Sequence, residues 1–179
     1  VFVRLGKCNL ACAWCDTDYL KFGMMRLSDI LGRLQTYAAR NIIITGGEPT
    51  IQPHLSVLLD ALKAQGYRLC IETNGLKPAP VQIDYVAASP KACYAEKYRQ
   101  QCIEAADEVR IVADGDVLAF CAEMEQKIRA AHYYLSPCEI DGQMNIYDTI
   151  RQIGLLNARA DAQVHWQLSV QTHKWAGIE

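Results

Sequence analysis

Three cysteines crowd into a short stretch near the start of the chain. Cys8, Cys12 and Cys15 are spaced C-x-x-x-C-x-x-C within Cys-Asn-Leu-Ala-Cys-Ala-Trp-Cys-Asp-Thr. Three thiolates on one loop suit three corners of an iron–sulfur cubane, whereas a structural zinc site takes four ligands, often as paired C-x-x-C motifs. The fourth corner is then an open coordination position, and such a position is where a substrate binds. We interpret the loop as a catalytic metal site.

One alternative is a zinc knuckle that takes Cys93, Cys138 or a histidine as its fourth ligand. Under this alternative the protein would be an interaction module without catalytic activity. Asp16 and Thr17 follow the last cysteine of the cluster. The residues alone favour a helix cap for Thr17, but a hydroxyl is also a ligand for a hard cation such as Mg²⁺.

Four further groups of unusual residues each follow a predicted strand. In a parallel sheet the carboxyl ends of the strands share one edge, where ligands bind. Paired glycines let backbone approach a ligand closely. On the residues alone, Ser89-Pro90-Lys91 is equally a turn with an exposed lysine, and Asn74 with Gly75 is equally a capped helix start. The groups are Gly46-Gly47-Glu48-Pro49, Glu72-Thr73-Asn74-Gly75, Ser89-Pro90-Lys91 and Gln171-Thr172-His173-Lys174.

Short β-branched runs alternate with segments of helical spacing, which predicts crossover units on a parallel sheet and an α/β fold. The predicted strands are 1–5, 41–45, 68–72, 85–89, 108–112, 133–136 and 164–170. An apolar stripe predicts a helix within 53–65, and a second stripe begins at Leu27 with Ser28 placed as its cap. Further helices are predicted at 115–130 and 147–157.

The composition is that of a globular domain. The chain has 179 residues, 51% of them hydrophobic, and a net charge of -2. The length predicts one domain, 1–179, and the charge argues against nonspecific nucleic-acid binding. No apolar stretch is long enough to span a bilayer, so we expect a soluble, cytoplasmic protein without a membrane partner. Because the chain opens as if mid-strand at Val1, we expect an upstream segment to be missing.

Five motifs occur along the chain in one order and at compatible spacings. They are Cys-Asp-Thr, Ile-Thr-Gly-Gly-Glu-Pro, Ile-Glu-Thr-Asn-Gly, Ser-Pro-Lys and Gln-Thr-His-Lys. Together they resemble the 7-carboxy-7-deazaguanine synthases of the radical S-adenosylmethionine (SAM) superfamily. The resemblance implies a [4Fe-4S] cluster, SAM, Mg²⁺ and a 5'-deoxyadenosyl radical. It also implies ring contraction of 6-carboxy-5,6,7,8-tetrahydropterin to 7-carboxy-7-deazaguanine with loss of ammonia, in queuosine and deazapurine biosynthesis. The implied fold is a shortened, partly open β/α barrel of about six parallel strands.

The resemblance also implies roles for individual residues. Cys8, Cys12 and Cys15 would hold the cluster, and Thr17 would bind Mg²⁺. Arg4 would pair with the substrate carboxylate through its charged fork. The implied cosubstrate residues are Gly46, Gly47, Glu48, Ser89, Pro90, Lys91, Ser136, Pro137, Cys138 and Glu139. The implied pterin residues are Arg4, Thr45, His173 and Glu179.

Two departures from the family pattern concern the ligand sites. Ser136 stands where the family often has glutamine, which implies a shorter or water-mediated contact. The upstream Gln-Gly-Glu segment that covers the pterin is absent from this chain. The resemblance further implies a homodimer and an electron donor of the flavodoxin or ferredoxin type. A glycyl-radical activating enzyme would share the cluster loop, but it does not account for Cys-Asp-Thr together with Gln-Thr-His-Lys.

Overall fold

The computed structural model describes residues 1–140 and 142–171. The chain divides into two compact units, Val1–Ala87 and Ala88–Glu179. The expectation of one domain over 1–179 stays a prediction. No helix in the described ranges is long and apolar enough to cross a membrane.

The first unit is a parallel β/α arrangement. Strand β1 (Phe2–Leu5) pairs with β2 (Asn41–Gly46), and β2 pairs with β3 (Arg68–Thr73), both in parallel. Helix α1 (Leu27–Gln35) connects β1 to β2, and α2 (Leu55–Ala64) connects β2 to β3. The three strands therefore end at a common edge, which receives the cysteine loop and two of the predicted strand-end loops.

Alternating burial holds the first unit together. In β2, Ile42 and Ile44 have no exposed surface, and the leucines at 58, 59 and 62 of α2 pack into the same core. Burying an isoleucine or leucine side chain contributes about 2 kcal/mol, so this core fixes where the carboxyl ends of the strands lie.

The second unit repeats the pattern. Strands β5 (Glu108–Ala113), β6 (His132–Pro137) and β9 (Trp166–Leu168) pair in parallel in that order. The helices are α3 (Ala95–Gln100), α4 (Leu118–Lys127) and α5 (Ile146–Asn157). Strands β7 (Glu139–Ile140) and β8 (Gln143–Met144) form a small antiparallel pair directly after β6.

An ion pair with a buried carboxylate anchors β9. The Glu125 carboxylate of α4 accepts two hydrogen bonds from Nη2 of Arg159, at 2.6 and 2.7 Å. It also accepts one from Nε1 of Trp166 at 2.8 Å. The Trp166 side chain is fully buried. Helix α5, whose carboxyl end precedes Arg159, and β9 are therefore fixed to α4 by one carboxylate.

The structure confirms the α/β class, with one more strand than the expected six. Seven strands, β1 to β6 with β4 at Tyr85–Ala88, and β9, make up the larger sheet of the described residues. Ser28 was expected to cap α1, and this is wrong: the N-cap position is Arg26, and Ser28 lies inside the helix with its hydroxyl on Asp29. The stripe gave the helix start at Leu27 correctly, and only the cap was placed two residues late.

Candidate active site

The three cysteines lie on the loop between β1 and α1, and none of them forms a disulfide with another described cysteine. Local hydrogen bonds shape this loop. The Leu10 N–H donates to Cys8 Sγ at 3.4 Å, and the Cys15 N–H donates to the Cys12 carbonyl at 3.1 Å. Within residues 1–140 and 142–171, no group of three or more His, Cys, Asp or Glu side chains is arranged to hold a metal ion.

The cysteine loop is attached to the end of β2. Gly47 N–H donates to the Leu5 carbonyl at 3.0 Å, and Glu48 N–H donates to the Lys7 carbonyl at 2.9 Å. A Cβ atom on Gly47 would lie 1.9 Å from the Lys7 carbonyl oxygen, so only glycine permits this approach. The glycine pair therefore brings its own backbone against the cysteine loop, rather than merely making a turn.

Glu48 is fully buried and its carboxylate is occupied by hydrogen bonds from the protein. Oε1 accepts from the Thr50 N–H at 3.0 Å and from the hydroxyls of Thr50 and Thr73 at 2.7 Å each. Oε2 accepts from the Asn74 N–H at 2.7 Å. These donors satisfy a charge that would be costly to bury unpaired. Glu48 thereby joins the loop after β2 to the loop after β3, while its predicted contact with the cosubstrate stays a prediction.

Three of the side chains expected near the pterin or Mg²⁺ lie at this edge. Arg4 and Thr45 are paired positions of β1 and β2. Nη1 of Arg4 donates to Thr17 Oγ1 at 3.3 Å, and Thr45 Oγ1 donates to Glu72 Oε2 at 2.7 Å. The expectation of a helix cap at Thr17 is wrong, because no helix begins there. Thr17 Oγ1 accepts this bond with one of its two lone pairs, and its role as a Mg²⁺ ligand stays a prediction.

The second unit holds the other predicted cosubstrate residues. After β4, Lys91 Nζ donates to Ser89 Oγ at 2.7 Å, and Pro90 between them is buried. At the end of β6, Ser136 is 3% exposed, and its Oγ has no hydrogen-bond partner among the described residues. A buried hydroxyl without a partner is costly, and a ligand that bonds to it would remove that cost.

The residues after Ser136 form the start of the β7–β8 pair. The Cys138 N–H donates to Asn145 Oδ1 at 2.7 Å, and Asn145 Nδ2 donates to the Ala113 carbonyl at 2.7 Å. Asn145 therefore holds the end of β5 beside the segment that follows β6. Pro137 and Cys138 are buried, whereas Glu139 is exposed. His173 and Glu179 lie outside the described residues.

The sequence interpretation missed the contact that Asn74 makes with the cysteine loop. The structure places no helix start at Asn74 and Gly75, so the expectation of a cap is wrong. Gly75 has φ 77°, and Asn74 Nδ2 donates to Asn9 Oδ1, inside the cysteine loop, at 2.8 Å. An Asn-Gly pair directly after a strand was the available signal, since it typically marks a turn.

The three thiols of the loop are the donor atoms that an iron–sulfur cluster takes. Burial raises the pKa of the Cys8 thiol, the Leu10 N–H lowers it, and the Glu48 charge raises it. Metal binding lowers thiol pKa values because the bound form is the thiolate. N–H groups aimed at ligand sulfur, such as that of Leu10, are common around iron–sulfur clusters and tune their potential.

Comparisons with known proteins agree with this geometry. Residues 3–93 match the model of the "Radical SAM superfamily". The chain is 84% identical over all 179 residues to the 7-carboxy-7-deazaguanine synthase of Neisseria meningitidis serogroup B, and it covers 84% of that protein. It is 57% identical to the synthase of Haemophilus influenzae, with the same coverage. Its fold resembles the crystal structure of QueE from Escherichia coli, with TM-score 0.65, 25% identity and coverage of 95% of this chain and 84% of that chain.

The chain belongs to the radical SAM superfamily. That membership implies a [4Fe-4S] cluster and SAM. Within the superfamily, the chain belongs to the 7-carboxy-7-deazaguanine synthases. The comparisons favour neither a glycyl-radical activating enzyme nor a zinc-binding interaction module.

Proposed function

We propose that this chain contracts 6-carboxy-5,6,7,8-tetrahydropterin to 7-carboxy-7-deazaguanine with loss of ammonia, as a step of queuosine and deazapurine biosynthesis. The observation that carries the proposal is the attachment of the three-thiol loop to Gly47 and Glu48 at the end of β2, in a chain 84% identical to a synthase of that name. Product plus ammonia contain the atoms of the substrate, so the net reaction is redox-neutral.

The chain's own residues would bind and orient the cluster, SAM and the substrate. Cys8, Cys12 and Cys15 would hold the cluster, which supplies with SAM the one-electron chemistry that starts the reaction. The backbone of Gly46 and Gly47 would approach the SAM methionyl group.

In the second unit, Ser136 would donate its free hydroxyl hydrogen to SAM. Lys91 would offer charge to a SAM oxygen, held in place by Ser89. We include Pro90, Pro137, Cys138 and Glu139 in this cosubstrate surface.

Arg4 would bind the substrate carboxylate as a bidentate guanidinium, because a planar fork matches the two oxygens. Thr45 would accept a pterin N–H, since its own hydrogen is held by Glu72. Thr17 would ligate a Mg²⁺ ion that also meets the substrate carboxylate and keeps several waters. His173 and Glu179 would complete the pterin surface.

We further propose that the enzyme is a cytoplasmic homodimer that takes electrons from a flavodoxin or a ferredoxin. Size-exclusion chromatography with light scattering tests the dimer. Turnover with each purified carrier and its reductase, in place of dithionite, tests the donor.

The deciding experiment is anaerobic turnover of the iron-reconstituted protein with SAM, dithionite, Mg²⁺ and the carboxytetrahydropterin, with products identified by mass spectrometry. We expect 7-carboxy-7-deazaguanine, with 5'-deoxyadenosine as the sign of SAM cleavage. Cys12→Ala abolishes both products, whereas Cys93→Ala, an exposed thiol outside the loop, keeps both. Deoxyadenosine without the deazaguanine would overturn the substrate assignment and leave the radical chemistry standing.

A matched pair of variants tests the cation site. Thr17→Ala is expected to weaken the dependence of turnover on Mg²⁺ while iron content stays unchanged. Thr36→Ala, which removes a hydroxyl that donates to the Arg33 carbonyl at the end of α1, serves as control. An unchanged Mg²⁺ response in Thr17→Ala would remove Thr17 from the cation site.

A further inference from the structure

Two asparagines connect the loop after β3 to the first thiol of the cysteine loop. The Asn74 N–H donates to Glu48 Oε2 at 2.7 Å, and Asn74 Nδ2 donates to Asn9 Oδ1 at 2.8 Å. Cys8 Sγ lies 4.0 Å from the same oxygen of Asn9. The side-chain bond joins residues 65 positions apart in the sequence. It is therefore a tertiary link between two loops rather than part of a local turn.

The orientation of the Asn74 amide is determined by its surroundings. Asn74 is 5% exposed, and its Oδ1 accepts the Leu76 N–H at 3.0 Å. With the oxygen engaged there, Nδ2 must face Asn9, and the Asn9 side chain must present its oxygen to it. A rotated amide at either residue would leave a buried donor or acceptor without this partner, at a cost of about 1–3 kcal/mol.

Fixing Asn9 also fixes the turn that carries Cys8. Asn9 lies between Cys8 and Leu10, whose N–H donates to Cys8 Sγ at 3.4 Å. Leu10 is 6% exposed and so anchors the other side of the turn. The Asn9 side chain is itself exposed, so without Asn74 it would be less restrained. Ordering a loop before it binds a metal removes an entropy cost from the binding step.

We propose that Asn74 is a positioning residue that acts through Asn9 to hold Cys8 in its cluster-binding geometry. The Asn9–Asn74 link thus couples the order of the cysteine loop to the loop after β3. This inference rests on the proposed function for the presence of the cluster. Residues that orient metal ligands typically change metal retention by about 10–100-fold when they are replaced.

The test measures how fast a chelator removes iron from the reconstituted protein. Asn74→Ser keeps the backbone N–H to Glu48 and an oxygen for the Leu76 N–H, but it is too short to reach Asn9. Asn9→Ala removes the acceptor. We expect each variant to lose iron about tenfold faster than wild type, and the double variant to lose it no faster than either single variant.

Two further variants separate this role from general loosening. Asn9→Asp keeps the acceptor oxygen but adds a negative charge beside Cys8 Sγ, 4.0 Å from that oxygen, so iron loss is expected to be slower than in Asn9→Ala but faster than in wild type. Thr50→Val weakens the Glu48 network without touching Asn9, so it is expected to lower thermal stability while leaving iron loss at the wild-type rate. The electron paramagnetic resonance spectrum of the reduced cluster should change in Asn9→Ala and not in Thr50→Val.

The outcomes are distinguishable. Single variants that retain iron as wild type does, or effects that multiply in the double variant, would overturn the inference and leave the proposed function intact. Faster iron loss in Thr50→Val equal to that in Asn74→Ser would also overturn it, because any damage to the Glu48 network would then suffice. A wild-type protein that takes up no iron would overturn the proposed function and this inference with it.

Discussion

Thr45 donates its hydroxyl hydrogen to the Glu72 carboxylate at 2.7 Å, on the neighbouring strand. An ionised carboxylate only accepts, so this bond commits the only hydrogen of the hydroxyl. Thr45 is left as an acceptor, and it therefore selects ligands that present an N–H or O–H to this point of the sheet edge.

Glu72→Gln tests that selection. A glutamine amide can donate as well as accept, so the Thr45 hydroxyl is no longer confined to one orientation. Losing one oriented hydrogen bond costs about 1 kcal/mol, which corresponds to about a fivefold rise in KM for the pterin. SAM cleavage measured without pterin should be unchanged. Glu104→Gln, at an exposed position, is the control, and an unaltered KM in Glu72→Gln would remove Glu72 from substrate recognition.

Gly47→Ala is expected to destabilise the apoprotein by about 2 kcal/mol, because the new methyl group would meet the Lys7 carbonyl oxygen at 1.9 Å. Neither partner is a flexible side chain, so the cysteine loop must move. Gly32→Ala is the matched control, since Gly32 lies within α1 and a Cβ there meets no atom of the described residues within 4 Å. Urea unfolding should show Gly32→Ala more stable than wild type by about 0.5–1 kcal/mol. Equal unfolding midpoints for the two variants would contradict the close approach.

Ser136→Ala is expected to stabilise the apoprotein while it weakens the binding of SAM. Within residues 1–140 and 142–171 the buried Ser136 hydroxyl has no partner, so its removal is expected to stabilise the apoprotein by about 1 kcal/mol. The same change should raise KM for SAM about tenfold, because the ligand loses that hydrogen bond. Thermal unfolding and SAM-dependent turnover measure the two effects. A destabilised apoprotein would show that the hydroxyl already has a partner.

Asp84 gives a pH-dependent test. The Leu69 N–H donates to Asp84 Oδ2 at 2.8 Å, and Lys63 Nζ donates to Oδ1 at 2.8 Å. The Leu69 bond, followed by Lys63, lowers the pKa of Asp84. Because the pKa is lower in the folded state, the ionised carboxylate stabilises the protein at any pH above its ordinary pKa of about 4. This stability is lost as the pH falls through the folded-state pKa.

Asp84→Asn should therefore unfold more easily by about 1 kcal/mol at neutral pH and lose less stability than wild type on acidification. Urea midpoints between pH 7 and pH 2 measure this, with Asp161→Asn, at an exposed position, as control. Parallel curves for wild type and Asp84→Asn would contradict the shift.

The strands were predictable because their pattern is local. The isoleucines of β2 and the apolar leucines of α2 follow the strand and helix periods, and the structure places both elements within two residues of the predicted bounds. The short helix α3 and the β7–β8 pair escaped prediction. Six-residue and two-residue elements are too short to show a period in the sequence. The β7–β8 pair is closed by the bond from the Cys138 N–H to Asn145 Oδ1, which the sequence pattern does not reveal.

The candidate site was predictable where residue type alone limits the chemistry. Three clustered thiols and a glycine pair have few other uses, and the structure brings Gly47 against the cysteine loop. The contacts of Asn74 and Glu48 were not predictable, because an asparagine or a glutamate after a strand has many local uses. Only the folded chain shows which partner, 65 residues away for Asn74, is within reach.

The shared carboxylate of Glu48 also constrains how this chain can evolve. Thr50, Thr73 and Asn74 all donate to one buried group, so a substitution at Glu48 would leave donors unmatched in two loops at once. Tolerated changes at these positions should therefore arise as coordinated sets rather than singly. Random mutagenesis of a Glu48 variant, with selection for a folded product, should yield second-site suppressors. We expect these suppressors to map to the loop after β3.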